Sequence, residues 1–167
     1  MSTNTPDNLP ITFEHRSVIP TTMAAMIAFH EDPAAFRRLT PPPIFIQVRR
    51  RDWRSMRDAD VEFTMWFTFL PIHWIAHHEP GATPTSFVDR QIVGPVDTWV
   101  HRHIFTEVPG GIELIDRLTV IHRKGGFWGL FTRLAFGNLP LRILFLYRHL
   151  RTRLGVKQYE SSQSTPA

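Results

Sequence analysis

SFVDRQIVGPVDTWVHRHIF, residues Ser86 to Phe105, decides how this chain reads. Side chains alternate between the two faces of a strand, and Gly94-Pro95 divides the segment into two such runs. In the first, Phe87, Asp89, Gln91 and Val93 share a face; in the second, Trp99, His101, His103 and Phe105 do. A face that carries acid, amide and imidazole groups among aromatic rings is an unusual lining for a purely structural core. It points to a pocket.

Outward from this segment the same period continues. Downstream, Pro109-Gly110-Gly111 turns the chain into GIELIDRLTVIHR, where Ile112, Leu114, Asp116, Leu118 and Val120 alternate with Glu113, Ile115, Arg117, Thr119 and Ile121. Parity alone does not choose between these two sets. Upstream, IFIQVRR, VEFTMWFTFL and IHWIAHHE read as three more strands, and ITFEHRSVI as the first of the chain. Short connections make most neighbours antiparallel. The basic stretch RRRDWRSMRDAD reads as a long link between the second and third strands.

Two breaks in the strand pattern are helical. After Pro20, Thr21 or Thr22 can cap TMAAMIAFHE, with Met23, Met26, Ile27 and His30 at helical spacing, and Asp32-Pro33 restarts a short helix over PAAFRRL. From Phe127 to Leu154 the apolar residues recur at helical spacing (Leu130, Phe131, Leu134, Leu141, Leu144, Phe145), with a break or kink expected at Gly137-Asn138-Leu139-Pro140. The order is strand, two short helices, six strands, long helix. A bent antiparallel sheet has a concave face to cover, and the long C-terminal helix is the element able to cover it.

The expected fold is therefore α+β: a curved seven-stranded antiparallel sheet wrapped around a long C-terminal helix, with two short helices between strands 1 and 2. At 167 residues the chain makes one domain. We place it at residues 11–157, with a flexible stretch at 1–10 and a disordered polar tail at 158–167. The 13 Phe and 5 Trp suffice to line an apolar cavity as well as a core. With no cysteine, disulfides, thiolate metal sites and thiol nucleophiles are excluded. MSTNTPDNLP has no apolar run of the signal-peptide kind, so a cytoplasmic location is expected. Phe127 to Tyr147 is interrupted by Arg133, Asn138, Pro140 and Arg142 and does not read as a transmembrane helix.

The formal charge of +4 conceals an asymmetry. Up to Asp116 there are 10 basic and 14 acidic residues, a net of −4; from Arg117 onward 9 basic residues face the single acid Glu160, a net of +8. The basic charge thus belongs to the C-terminal third, and with no recognised binding motif it does not indicate nucleic acid.

Several motifs together resemble the START-like helix-grip (SRPBCC) superfamily, and within it a bacterial subgroup of ligand-binding and cyclase/dehydrase-like proteins. They are Phe29-His30 with Leu39-Thr40-Pro41-Pro42, Phe87-x-Asp89-x-Gln91 with Gly94-Pro95, Trp99-x-His101-x-His103-x-Phe105, Asp116-Arg117-Leu118 and Tyr147-Arg148. The match spans roughly Ile11 to Arg153. It implies the helix-grip fold with a cavity between sheet and helix, and it favours Asp116 over its neighbours as the inward residue of its strand. The fold hosts carriers, sensors and enzymes alike, so function has to be argued from the site.

Asp89, His101, His103 and Asp116 are the candidate polar and catalytic groups, since a carboxylate beside an imidazole can move a proton. Equally, such groups can satisfy one another and fix register. Phe87, Gln91, Trp99, Phe105, Leu134 and Phe145 are the candidate ligand-binding residues. His-x-His with two acids could bind a metal, but no matching ligand spacing accompanies it, so no metal and no cofactor are expected. Arg90 and Arg102 fall on the opposite parity and read as outward; His73, His77 and His78 read as rim or surface residues.

The partner these readings favour is a small hydrophobic or amphipathic molecule, lipids included, in a carrier or sensor. A polyketide cyclase/dehydratase-like enzyme using a His/Asp acid–base group is the alternative. A third reading has Arg133, Arg142, Arg148, Arg151 and Arg153 meeting anionic headgroups while Phe127, Trp128 and Leu130 enter the interface. It is not favoured, because the apolar stripe has an intramolecular use and its basic back can be solvated.

Overall fold

The computed structural model describes residues 9–163. The chain runs β1 (Ile11–Ile19), α1 (Met23–Glu31), α2 (Ala35–Arg38), β2 (Ile44–Ser55), β3 (Asp58–Phe67), β4 (Leu70–Pro80), β5 (Ser86–Val93), β6 (Thr98–Val108), β7 (Gly111–Ile121), α3 (Gly126–Ala135) and α4 (Asn138–Gln163). All strands form one antiparallel sheet in the order β1-β7-β6-β5-β4-β3-β2. The two strands separated by α1 and α2 are thus the two edges. This is the helix-grip architecture expected from the sequence, with α4 packed against β1 and α1.

Local chemistry explains the element ends. Thr22 caps α1 by accepting from the Ala25 amide, and Asp32 accepts from the Ala34 amide to start the next turn. Gly110, Gly111, Gly125 and Gly126 all have positive φ, which makes the turns before β7 and α3 glycine positions. The stretch RRRDWRSMRDAD is no open link. It is the tip of a tight β2–β3 hairpin, where Arg54 bridges Asp58 and Asp52 and two register shifts take up the irregular pattern. Its arginines obscure the period of two in the sequence; the strand nonetheless turns Trp53 inward, and its indole donates to Glu31 at the end of α1.

The C-terminal helical region breaks after Ala135, and α3 and α4 lie 48° apart. The polar tail expected at 158–167 is helical as far as Gln163, because Tyr159 docks its ring against Phe29 and donates its hydroxyl to Asp32. Residues 164–167, and residues 1–8 of the stretch expected to be flexible, lie outside the described residues.

Two apolar clusters fill the concave side of the sheet. One gathers Phe13, Trp74, Trp99, Leu118, Val120, Phe136, Leu141 and Phe145; the other gathers Ile19, Met26, Phe29, Phe87, Phe105, Ile112, Leu114 and Val156. The division has a simple origin. On each of β1, β6, β7 and α4 an apolar inward residue at either end is separated by polar ones: His15 and Ser17, His101 and His103, Asp116, and His149 with Thr152. A polar belt therefore crosses the core.

Candidate functional site

Cross-strand register assembles this belt. One row runs His15, Asp116, His103 and Phe87 across β1, β7, β6 and β5; the next runs Phe13, Leu118, His101, Asp89 and His78 from β1 to β4. On β7 the inward set is Ile112, Leu114, Asp116, Leu118 and Val120, all buried, which settles the parity that the sequence left open. Helices close the belt from above, with His149 and Arg148 from α4 and His30 from α1.

Asp116 is the hub. Its Oδ1 accepts from His101 Nε2 at 2.9 Å, and its Oδ2 accepts from His149 Nε2 at 2.9 Å. The other nitrogen of His149 is 2.7 Å from the Ser17 hydroxyl, so with Nε2 protonated, Nδ1 accepts from Ser17. His103 Nδ1 also lies 2.9 Å from Oδ1, but at an angle that makes no hydrogen bond, and it has no other partner. All four residues of the cluster are almost entirely buried.

Burial is the largest influence on Asp116 and would raise its pKa, but His103 and His101 together outweigh it and hold the carboxyl well below the usual range. The imidazoles shift downward because the charged form is desolvated, His103 to about 3 with His101 adding to the effect, and His30 likewise to about 3. His101 is lowered by the same cause, against the pull of Asp116. Asp116 is thus an ionised carboxylate beside the neutral imidazoles of His101 and His103.

Two cavities flank the belt. The larger, about 380 Å³, lies between the sheet and α3–α4 and is lined by Trp99, His101, Asp89, Phe36, Phe136 and Arg148 among others. Its exposed lining residues, Pro42 and Ile143, mark the mouth. The smaller, about 70 Å³, is lined by His30, His103, Phe87, His78, Trp53 and Arg51 among others. Asp89 and Arg148 line both cavities and stand at the divide. Asp89 Oδ1 is buried without a hydrogen-bond partner. Among the described residues Arg148 forms no ion pair; its guanidinium lies 5.7 Å from the Phe145 ring.

The structure therefore brings together His101, His103, Asp116 and Asp89 as the sequence suggested, with Phe87 and Trp99 at the cavities and Phe145 packed against His101. Three expectations need correcting. Leu134 is 68% exposed on α3 and turned away from the cavity, because the break after Ala135 changes the helical phase. Gln91 lines neither cavity; its side chain folds back to donate to the Val96 carbonyl across the β5–β6 connection. Phe105 is buried with Phe87 and His30 beneath α1 and is core, not lining.

His78, read as a rim residue, faces the small cavity and bonds the Met56 carbonyl, whereas His73 and His77 pair with Glu62 and Asp60. His149 and Ser17 enter the network, and His30 packs beside His103, without having been singled out as site residues. A signal for His149 existed, since it lies four residues after Phe145 on one helical face.

Chemically the belt offers three capacities. His101, His103 and Asp116 present donors within 4.8 Å of one another, close enough to hold a divalent cation. Ser17, His149 and Asp116 follow the order of a nucleophile relay, but Ser17 lines neither cavity, so nothing is presented to it. His101, a neutral imidazole on an ionised carboxylate and facing the larger cavity, can position or exchange a proton there.

No family model matches the chain, and no curated protein matches it. Solved structures do. TTHA0849 from Thermus thermophilus aligns at 13% identity over 94% of this chain and 100% of its own, with a TM-score of 0.59. The Zhui aromatase/cyclase from Streptomyces sp. R1128 aligns at 11% identity over 94% and 97% of the two chains, with a TM-score of 0.61. The di-domain aromatase/cyclase StfQ of the steffimycin biosynthetic pathway aligns at 11% identity over 93% of this chain, which spans only 54% of StfQ, with a TM-score of 0.64. At such identities the likeness concerns the fold alone: a seven-stranded antiparallel sheet gripping a long C-terminal helix gives this chain the helix-grip fold.

Proposed function

We propose that this protein binds a small, largely apolar molecule with a polar end in the cavity between the sheet and α3–α4, and serves as its carrier or sensor. The observation that carries this reading is the pair at the divide: among the described residues Asp89 has a carboxylate oxygen without a hydrogen-bond partner and Arg148 has no ion pair, and both residues line a cavity of about 380 Å³ otherwise walled by Trp99, Phe136, Phe36 and other apolar groups. Pockets of this kind take apolar bodies and orient them by a few polar groups. Arg148 suits a carboxylate or phenolate end, and Asp89 and His101 suit a neighbouring hydroxyl.

Native mass spectrometry of the purified protein, followed by denaturation and identification of what is released, tests this. The expected result is a stoichiometric small molecule whose retention falls at least tenfold in Arg148→Ala and severalfold in Asp89→Asn. A ligand-free mass, together with failure to bind a fluorescent apolar probe, would sink the proposal. A second reading rests on His101 at the cavity wall: in a cyclase or dehydratase, His101→Gln would abolish turnover of the bound molecule while leaving its retention intact. In a carrier the same change alters affinity alone.

A further inference from the structure

α4 has two apolar faces, and only one of them is used. Leu141, Phe145, Val156 and, between them, His149 and Thr152 are buried against the sheet and α1. On the opposite side Leu139, Ile143, Leu146, Leu150 and Leu154 follow one another at intervals of four, three, four and four residues, which aligns them in a single stripe. They are exposed by 68%, 60%, 59%, 55% and 50%. α3 adds Phe127, Leu130 and Leu134, exposed by 63%, 61% and 68%. The back of this helical region, expected to be basic and solvated, is thus an apolar surface that nothing among the described residues covers. Monomeric proteins rarely leave a patch of this extent in water.

Charge indicates what covers it. Arg142 and Arg153 border the stripe on α4, Arg133 lies on α3, and Arg123 and Lys124 precede it, while the single acid on either helix is Glu160, beyond the stripe. A second copy of the same face would set arginine against arginine, and Glu14, which lines a groove with Arg142 and Leu146, is already paired with Arg16 and Arg117. The 48° bend between the helices also denies a coiled-coil partner a straight seam. An anionic lipid surface meets both conditions: headgroup phosphates complement the basic border, and the headgroup–acyl boundary accepts an apolar stripe on a bent pair. Among the described residues no single helix is long and apolar enough to cross a membrane, although the bent pair together passes on length and composition. Because the inner face of α4 is committed to the core, the pair can lie on a bilayer without spanning it.

We propose that the outer face of α3 and α4 docks on anionic lipid surfaces, with Leu139, Leu146, Leu150 and Leu134 in the interface and Arg142 and Arg153 on headgroup phosphates. This is independent of what the cavity holds.

The full chain would be sedimented with phosphatidylcholine vesicles and with vesicles that also contain phosphatidylglycerol, at low and high salt. Binding to the anionic vesicles, weakened severalfold by salt, is the expected outcome. Leu146→Glu with Leu150→Glu changes two side chains that line neither the larger nor the smaller cavity. This variant should keep the wild-type circular dichroism and the wild-type binding of a fluorescent apolar probe while losing vesicle binding at least tenfold. Arg142→Gln with Arg153→Gln should weaken binding severalfold and flatten its salt dependence. Absence of wild-type protein from the anionic vesicle pellet overturns the proposal, and equal binding to both vesicles overturns the anionic assignment. A dimer in the ultracentrifuge that Leu146→Glu with Leu150→Glu returns to monomer would assign the face to a second copy instead.

Discussion

Asp116 carries an ionised carboxylate at the hub of the belt, and imidazole N–H groups from two directions hold it there. Asp116→Asn keeps the shape but loses the charge and turns an amide donor toward a histidine N–H. Hydrogen bonds to a buried charge are the costly ones to lose, so this variant should unfold about 3 kcal/mol more easily in urea. The imidazoles set the pH dependence. His30 and His103 are pushed down to about 3 in the folded protein by burial, whereas in the unfolded chain they titrate at the ordinary 6.5. Below 6.5 the unfolded chain therefore binds protons that the folded one refuses. Stability is complete above that pH and declines as pH falls toward 3, by about 1.4 kcal/mol per pH unit for each histidine. Urea titrations from neutral pH down to about 4 measure this, and His30→Gln should flatten the slope; an equally steep slope in that variant would refute the assignment of His30. His101 and His103 are legible in the sequence because a strand's period of two puts them on one face with Trp99 and Phe105. Asp116 needs more than parity, since Ile115 and Arg117 offer no contrast strong enough to choose.

At the scale of elements, a helix is legible when one face is polar, and α4 breaks that condition. Leu139, Leu141, Ile143, Leu144, Phe145 and Leu146 surround the axis, so periodicity cannot tell which side meets the sheet. Leu134 is misassigned for a related reason: a continuous helical phase carried through Gly137 and Pro140 would turn it inward, whereas the break resets the phase. Gly155 marks a close approach of α4 to α1. A Cβ there would sit 2.2 Å from a ring carbon of Phe29, inside the second apolar cluster. Alanine favours a helix by about 1 kcal/mol over glycine, yet Gly155→Ala should destabilise the protein by about 2 kcal/mol because Phe29 is fully buried and cannot move aside. Thermal unfolding followed by circular dichroism checks the sign. A stabilised variant would mean that α4 can move away from α1. The β2–β3 hairpin fails as a sequence reading for yet another reason. Arg54, Asp52 and Asp58 face solvent and pair at the turn, so a stretch that looks like a loop by composition is a strand by geometry.

Across the whole molecule the order of elements, the antiparallel sheet and the covering role of the C-terminal helix are all legible, because each depends on periodicity and short connections. The cavity is not, since a void depends on the distance between surfaces, and composition is silent on distance. What the molecule adds is the belt. It lines one part of the larger cavity, and Pro42 and Ile143 are the exposed residues of another, so a guest of the kind proposed would lay its apolar body on the apolar walls and its polar end against Asp89, Arg148 and His101. Holding such a guest, the cavity would work as a ruler. Guests too short to touch the belt forgo its hydrogen bonds, guests too long leave apolar atoms in the mouth, and selection falls on the length of the apolar body before it falls on the chemistry of the head.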